Sequence, residues 1–299
     1  MLREKMNYSI ALRLDQNSAE ADKVDEVFQN MYSDLSPSDF NISASVGATR
    51  NWDNNWSLGM WLGRGVRNGG IAERYINHLP IGVDPYEMLG NPDIKPEVNH
   101  QLDLSLGWST ENTNLSVGLF GSLLNDYISS TIDPSLTPRM KTAPGVRRFV
   151  NIDKATMMGF DIAWHQQWVP QIKSSLSMNY TYGENDDFDE PLPEIAPMEV
   201  NVAIEGNFIQ NRLFPKVALR HAMEQDRIAE TFGEVETPDF TTVDINIRYL
   251  ITNNISLTGG MSNVFDETYR EHLSRYNRST SQPIYAPGRN AFATLTFNW

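Results

Sequence analysis

The chain has 299 residues, a net charge of −14 and no cysteine. These numbers exclude a disulfide scaffold, a thiolate metal site and a catalytic thiol, and they argue against nucleic acid as a partner, because phosphate binding needs clustered Lys and Arg. No apolar run reaches the ~20 residues of a membrane-spanning helix, but a β-barrel stays open as a reading, since its strands alternate apolar and polar side chains and keep the average polar.

Met1-Leu2-Arg3-Glu4-Lys5 leads straight into a strand pattern with no apolar h-region and no small-residue cleavage site. The expectation is a chain without a signal peptide, and hence, for a barrel, a part of a longer product. Apolar residues then recur at every second position, the period of a strand. The sets are Tyr8–Leu14, Phe40–Ala48, Trp56–Leu62, Leu102–Trp108, Leu115–Leu123, Phe160–Trp164, Leu176–Tyr182, Val200–Ile204, Val217–Leu219, Val243–Tyr249, Ile255–Met261 and Ala293–Trp299. About twelve strands follow, within the range of membrane barrels. The residues between them are small or polar, as at Ser43, Ser45, Asp103, Asp161, Asp244, Asn246 and Arg248. A soluble sandwich buries the apolar face, whereas a membrane barrel turns it to lipid. Alternation alone does not separate the two.

The connections do. Short turns at Trp52–Asn55, Thr110–Asn114, Gln166–Gln171, Ile209–Asn211 and Ile251–Asn254 alternate with long polar links at Gln16–Pro37, Gly63–Val98, Ile132–Arg148, Asn185–Pro197, Arg227–Pro238 and Val264–Pro287. Strict alternation gathers the short turns at one end and the long loops at the other, as in barrels with short periplasmic turns and long extracellular loops. Structureless links this long are uncommon in compact soluble domains. Trp52, Trp56, Trp108, Trp164, Trp168, Phe208, Phe214, Tyr249 and Trp299 cluster at the short-turn end, where an interfacial girdle favours them.

Several strings then look familiar. Gly90-Asn91-Pro92-Asp93-Ile94-Lys95-Pro96-Glu97 is similar to the NP-x-LKPE motif of TonB-dependent receptors. Asn125-Asp126-Tyr127-Ile128 resembles their recurrent strand end, and Asn151-Ile152 with Gly159-Phe160-Asp161 resembles another of their strands. Asn263-Val264-Phe265-Asp266-Glu267-Thr268-Tyr269 is similar to their N-[LV]-F-D-x-x-Y motif, and Pro287-Gly288-Arg289 opens a terminal strand that ends on Trp299 where the family usually has Phe. The strings stand in family order over nearly the whole chain. The Glu73–Ile76, Asp84–Tyr86 and Tyr269–Leu273 stretches also look like the copper-type branch.

The resemblance implies an all-β, antiparallel transmembrane barrel of about 22 strands with a plugged lumen, of which residues 1–299 would be the C-terminal part, about twelve strands. It further implies energy-coupled uptake of a metal ion or metal chelate, coupling to a TonB–ExbB–ExbD complex through an N-terminal region, contact with outer-membrane lipid and lipopolysaccharide, and recognition by barrel-assembly machinery through Leu295, Phe297 and Trp299. No cofactor and no chemical step are implied. The alternatives are a self-contained barrel of about twelve strands, as a translocator or barrel enzyme, and a soluble sugar-binding sandwich.

Ligand candidates lie in or near the long links. His78, Met88, Met140 and His272 carry the imidazole and thioether groups that suit copper, although no ligand spacing repeats and ordinary loop roles account for them better. Arg64, Arg67, Arg74, Arg147 and Arg148 suit an anionic chelate or lipopolysaccharide, and pairing with nearby acidic loop residues is the simpler reading. The acidic run Glu184–Glu190 lacks the ligand spacing and Gly of a calcium loop. Five histidines, with no G-x-S-x-G or H-E-x-x-H string, give catalysis little support. Gly259-Gly260 inside a strand suggests a bend or bulge.

Overall fold

The period-2 patterning builds one open, antiparallel wall of strands. The computed structural model describes residues 5–32, 34–80, 84–274, 276 and 282–299, so Met1–Glu4 of the sequence reading lie outside the described residues. In chain order the elements are β1 (Lys5–Ser18), α1 (Glu26–Met31), β2 (Ser38–Asn51), β3 (Trp56–Arg67), α2 (Ile71–Tyr75), β4 (Asn77–Leu79), β5 (Glu87–Leu89), β6 (Glu97–Ser109), β7 (Thr113–Ile132), β8 (Val146–Val169), β9 (Ile172–Asn185), β10 (Glu190–Pro191), β11 (Glu199–Gly206), β12 (Leu213–Ala222), β13 (Phe240–Leu250), β14 (Ile255–Ser262) and β15 (Asn290–Phe297). Twelve of the strands form the wall, in the order β1-β2-β3-β6-β7-β8-β9-β11-β12-β13-β14-β15. Among the described residues β1 and β15 are its two edges and do not pair with each other.

The register places like with like. Ile10, Val46, Leu62, Leu102, Gly121, Met158 and Tyr182 follow one another across seven strands. Side chains of this face stay open to the surroundings: Ile10 is 84% exposed, Leu123 62% and Ile204 57%. Among the described residues nothing packs on the apolar side of the sheet, so the sandwich reading fails and the apolar side is the outside of a barrel wall. The aromatic set gathers at the short turns. Trp56 stacks on Trp108 at 5.8 Å, Trp164 meets Trp168 edge-on at 5.9 Å, and Arg248 lies 4.5 Å over Phe214.

The buried core sits at the loop end instead. Phe28, Leu89 and Val146 form one cluster, with Val24, Tyr32, Leu35, Tyr75 and Leu136 against it. Leu124, Ile152, Ala155 and Leu192 form a second, with Tyr127, Met157 and Ile195. Asp126 takes φ 51° between the Leu124–Ala155 and Tyr127–Ile152 pairs. This left-handed step lets two pairs an odd number of residues apart share one face, where a regular strand would alternate them.

Three expectations change. The long links are not structureless: α1 lies in the first and α2, β4 and β5 in the second, because these links carry enough apolar residues to build a core of their own. Strands β7 and β8 run past the expected boundaries and absorb Ile132, Arg147 and Arg148, while the turn expected at Gln166–Gln171 shrinks to Pro170-Gln171. Gly259-Gly260 makes no bulge, since both residues pair in register with β13 and β15. A Cβ on Gly260 would fall 2.7 Å from the Phe292 ring, so glycine there makes room for a neighbour.

Candidate functional site

The loop end is fastened by side chains reaching between links. Asp25 caps α1 by accepting from the Phe28 N–H at 2.8 Å, which aims Phe28 at Leu89 and Val146. Strand β5 lies parallel to the first residues of β8, Glu87 opposite Val146 and Leu89 opposite Arg148. The Tyr32 hydroxyl donates to the Gly90 carbonyl at 2.7 Å and the Tyr75 hydroxyl to the Leu35 carbonyl at 2.9 Å.

The Gly90–Glu97 string is the hinge pin of this arrangement. A Cβ on Gly90 would come within 2.6 Å of the backbone at Arg74 and Tyr75, so only glycine allows that approach. The Asn91 amide donates to the Phe149 carbonyl at 3.1 Å. Pro92 is buried and its carbonyl accepts from Arg74 at 2.6 Å. The Lys95 N–H donates to Asn151 at 2.8 Å, its ammonium pairs with Asp126 at 3.0 Å, and Asn151 donates back to the Lys95 and Asp126 carbonyls. Pro96 leads into β6, and Glu97 accepts from the Ile128 N–H at 3.0 Å and from Arg67 at 3.2 Å. The string therefore ties the second long link to β7 and β8.

The arginine candidates separate by environment. Arg74 is buried against Asp39 at 2.9 Å. Arg147 is buried too, pairs with Asp84 at 2.7 Å, donates to the Phe232 carbonyl at 2.6 Å, and lies between the Tyr86 and Phe232 rings at 4.4 and 4.0 Å. Arg67 pairs with Glu73 and Glu97, and Arg148 with Asp133 at 3.5 Å. The pairing reading thus describes these four. Arg64 differs: it stands on the outward face of β3 and donates to the Ile42 carbonyl.

His78 and Met88 lie in β4 and β5, not in open loop. His78 meets the fully buried Glu87 at 2.8 Å, and Glu87 also accepts from the Arg139 N–H at 2.9 Å and from the Met140 N–H. Burial pushes the Glu87 carboxyl up, but the two backbone donors and His78 outweigh it and hold it below its ordinary value. Met88 is buried and Met140 half-buried beside this carboxylate. His272 is elsewhere, between Thr237 at 2.9 Å and Glu234 at 3.6 Å. For Glu234 as well, burial raises the carboxyl while His272 and the Ala229 and Glu194 N–H groups bring it below the ordinary value. The structure does not bring the four metal-ligand candidates to one point, and among the described residues no group of three or more His, Asp or Glu side chains is placed to hold a metal ion.

The inward face of β8 to β14 encloses a cleft of about 630 Å³ lined by His165, Asn201, Lys216, Arg220, Asp244 and Tyr269. Arg220 bridges Glu199 and Glu271 and lies 5.1 Å over Phe240, which stacks on Tyr269 at 4.1 Å. The Asn263–Tyr269 string closes the cleft. Asn263 takes φ 48°, its N–H donates to Asp244 at 2.8 Å, and its side chain exchanges hydrogen bonds with the Glu267 backbone. Asp266 accepts from the Arg289 N–H at 2.8 Å, and a Cβ on Gly288 would meet the same carboxylate at 2.8 Å. Phe265 is exposed. On β15 Leu295 and Phe297 point out of the wall and Trp299 is fully exposed, while the Asn298 N–H donates to the Asn254 carbonyl at 2.8 Å.

Sequence reasoning missed Asp39, Glu87, Phe232 and Glu234, and met Asp84 and Tyr86 only as part of a stretch resembling the copper-type branch, not as partners of Arg147. No local signal marks these contacts, because they join residues far apart in the chain. Apart from these cross-link pairs, the chain has the organisation of a wall with an ordered loop crown and a polar inner face.

The TonB dependent receptor-like beta-barrel family model matches residues 3–264. The chain belongs to the TonB-dependent receptor family. It is 24% identical over 335 aligned residues to the "probable TonB-dependent siderophore receptor PirA" of Acinetobacter baumannii, covering 99% of this chain and 44% of that receptor. It is 24% identical to the iron-regulated outer membrane virulence protein of Vibrio cholerae over 60% of this chain and 28% of that protein. Among solved folds, the copper transporter OprC superposes with a TM-score of 0.83 at 22% identity, covering 98% of this chain and 45% of that one. The siderophore receptor PirA from Acinetobacter baumannii superposes with a TM-score of 0.64 at 18% identity, covering 86% and 41%. The chain therefore spans less than half the length of the receptors it matches, and it corresponds to a wall portion of the TonB-dependent receptor barrel.

Proposed function

We propose that this chain is the wall and loop crown of an outer-membrane receptor of a Gram-negative bacterium that takes up a metal ion or metal chelate, such as copper or a ferric siderophore, by TonB-dependent transport. The observation that carries the reading is the family match over residues 3–264; the ordered loop crown supports it. The loops present the receiving surface and the polar inner face supplies lumen hydrogen bonds. Energy enters from a TonB–ExbB–ExbD complex through a plug, and no bond is made or broken. Barrel-assembly machinery reads the strand ending Leu295, Phe297 and Trp299.

The test is uptake of radiolabelled ⁵⁵Fe-siderophore and ⁶⁴Cu by cells with and without the gene, each with TonB intact or deleted. Uptake of one substrate that needs both genes supports the reading and names the cargo. Unchanged uptake of both, with the protein present in the outer membrane, sinks it.

A further inference from the structure

The short-turn end of the inward face carries a group of cations that the loop crown does not use. Lys173, Glu205, Lys216 and Asn246 form one cross-strand row over β9, β11, β12 and β13. Glu205 takes the Lys173 ammonium at 2.8 Å and the Lys216 ammonium at 3.0 Å. One row nearer the turns, Arg248 stands opposite Phe214 and Thr258, with its guanidinium 4.5 Å over the Phe214 ring. Cations thus gather here in a chain whose net charge is −14.

Lys173, Lys216 and Arg248 border a hollow of about 470 Å³, a volume in the range of small-molecule sites. Pro170, Gln171 and Asn207 line it from the short turns. Among the described residues Glu205 is the one carboxylate of its lining. Sharing Glu205 does not use up the lysines. Each ammonium keeps donors beyond the one that meets the carboxylate, both side chains stay about half exposed, and exposed pairs of this kind contribute little by themselves. The hollow is therefore cationic and open to the lumen.

We infer that this hollow is a release subsite for an anionic metal chelate, a metal ion enclosed by catecholate or carboxylate oxygens and carrying net negative charge, as it leaves the lumen at the short-turn end. Charge complementarity selects the ligand: the ammonium groups and the guanidinium donate charge-assisted hydrogen bonds to anionic oxygens. The Phe214 ring under Arg248 holds the guanidinium in place while its N–H edge stays available. The inference rests on the uptake reading of the proposed function and narrows it, since a bare copper cation would be repelled at this mouth.

The chain has no cysteine, so Thr258→Cys, which lies in the lining of the hollow, takes a single bimane label. The full chain, extracted from its outer membrane in mild detergent, is titrated with a tripodal ferric tris-catecholate, which is trianionic, and with a neutral ferric tris-hydroxamate of similar size. The anionic complex quenches the label saturably and the neutral one does not, while a label at Ser45→Cys on the inward face of β2 is not quenched. Lys216→Gln and Arg248→Gln each weaken binding by about fivefold, the scale of one exposed charge pair. Glu205→Gln strengthens it by a similar factor, a change that misfolding would not produce. Absence of saturable quenching, equal quenching by the neutral complex, or charge variants that all shift binding in one direction overturns the proposal. A Thr258→Cys thiol closed to a water-soluble reagent before chelate is added would show that the protein itself fills the hollow, and overturns it too. TonB-dependent uptake is read separately: its loss would count against the receptor reading, whereas failure of the titration alone counts against the release subsite.

Discussion

Wall and loop crown keep apolar side chains in opposite places. Along the wall Ile10, Leu123 and Ile204 remain 57–84% exposed, whereas between the loops Phe28, Leu89 and Val146 are sealed to 1% or less. Charges follow the same division. Wall pairs such as Lys173–Glu205 and Lys216–Glu205 leave the lysines 58% and 44% exposed, while in the crown Arg147–Asp84 is 5% and 9% exposed. The backbone ladder holds the wall, so its side chains are free to suit the solvent on each side. No ladder joins most of the crown, and side-chain contacts between links do that work, which makes the crown sensitive to single substitutions.

The largest expected effect breaks this contrast at its most buried pair. Arg147→Ala breaks the buried pair with Asp84 and removes the contacts to Tyr86 and Phe232. Breaking a buried ion pair by removing one partner costs about 3–5 kcal/mol. Limited trypsin digestion should then cut after Arg139 and Lys141 in the link before β8 while the wall keeps its heat-modifiable migration; simultaneous loss of both would show that crown and wall are not separable.

A somewhat smaller effect is expected in the wall. Leu119→Arg places a charge on the outward face near mid-height of the apolar band, between Leu104 and Phe160, at a cost of about 2–4 kcal/mol. Urea unfolding in lipid vesicles reads the loss, and it should leave crown proteolysis unchanged. A neutral result would mean that this face does not meet lipid.

The smallest effect is one of pH. Glu87 is held below its ordinary value of 4.5 because its backbone donors and His78 outweigh burial. A depressed folded value gives stability that is present above the unfolded value and is lost as pH falls through the folded one. Hydrogen exchange over residues 84–90 and 138–147 should therefore accelerate as pH is lowered below 4.5, after correction for the intrinsic rate. In Glu87→Gln the acid step should vanish; its persistence would assign the acid response to another carboxylate, with Glu234 next in line.

Strand positions and loop alternation were legible in the sequence because each follows from local geometry. A strand alternates its side chains whatever it pairs with, so Leu102, Leu104, Leu106 and Trp108 announce β6 unaided. The family strings were legible as strings, but not as the pins they are: that Asn91 reaches the Phe149 carbonyl, or that Asn151 clasps Lys95, is invisible without the fold. Arg64 was grouped with the loop arginines because link composition gave no sign that β3 carries it onto the outward face.

What the sequence by itself determined is the all-β class, the twelve wall strands, the one-sided long loops and membership in a receptor family. What only the tertiary structure decided is which charges meet. Arg74 finds Asp39, Arg147 finds Asp84 and the Phe232 carbonyl, and these partners lie 35, 63 and 85 residues apart. Periodicity fixes neighbours at spacings set by the strand, but pairing across links depends on how the wall curves and brings the loop bases together, and no local pattern encodes that distance.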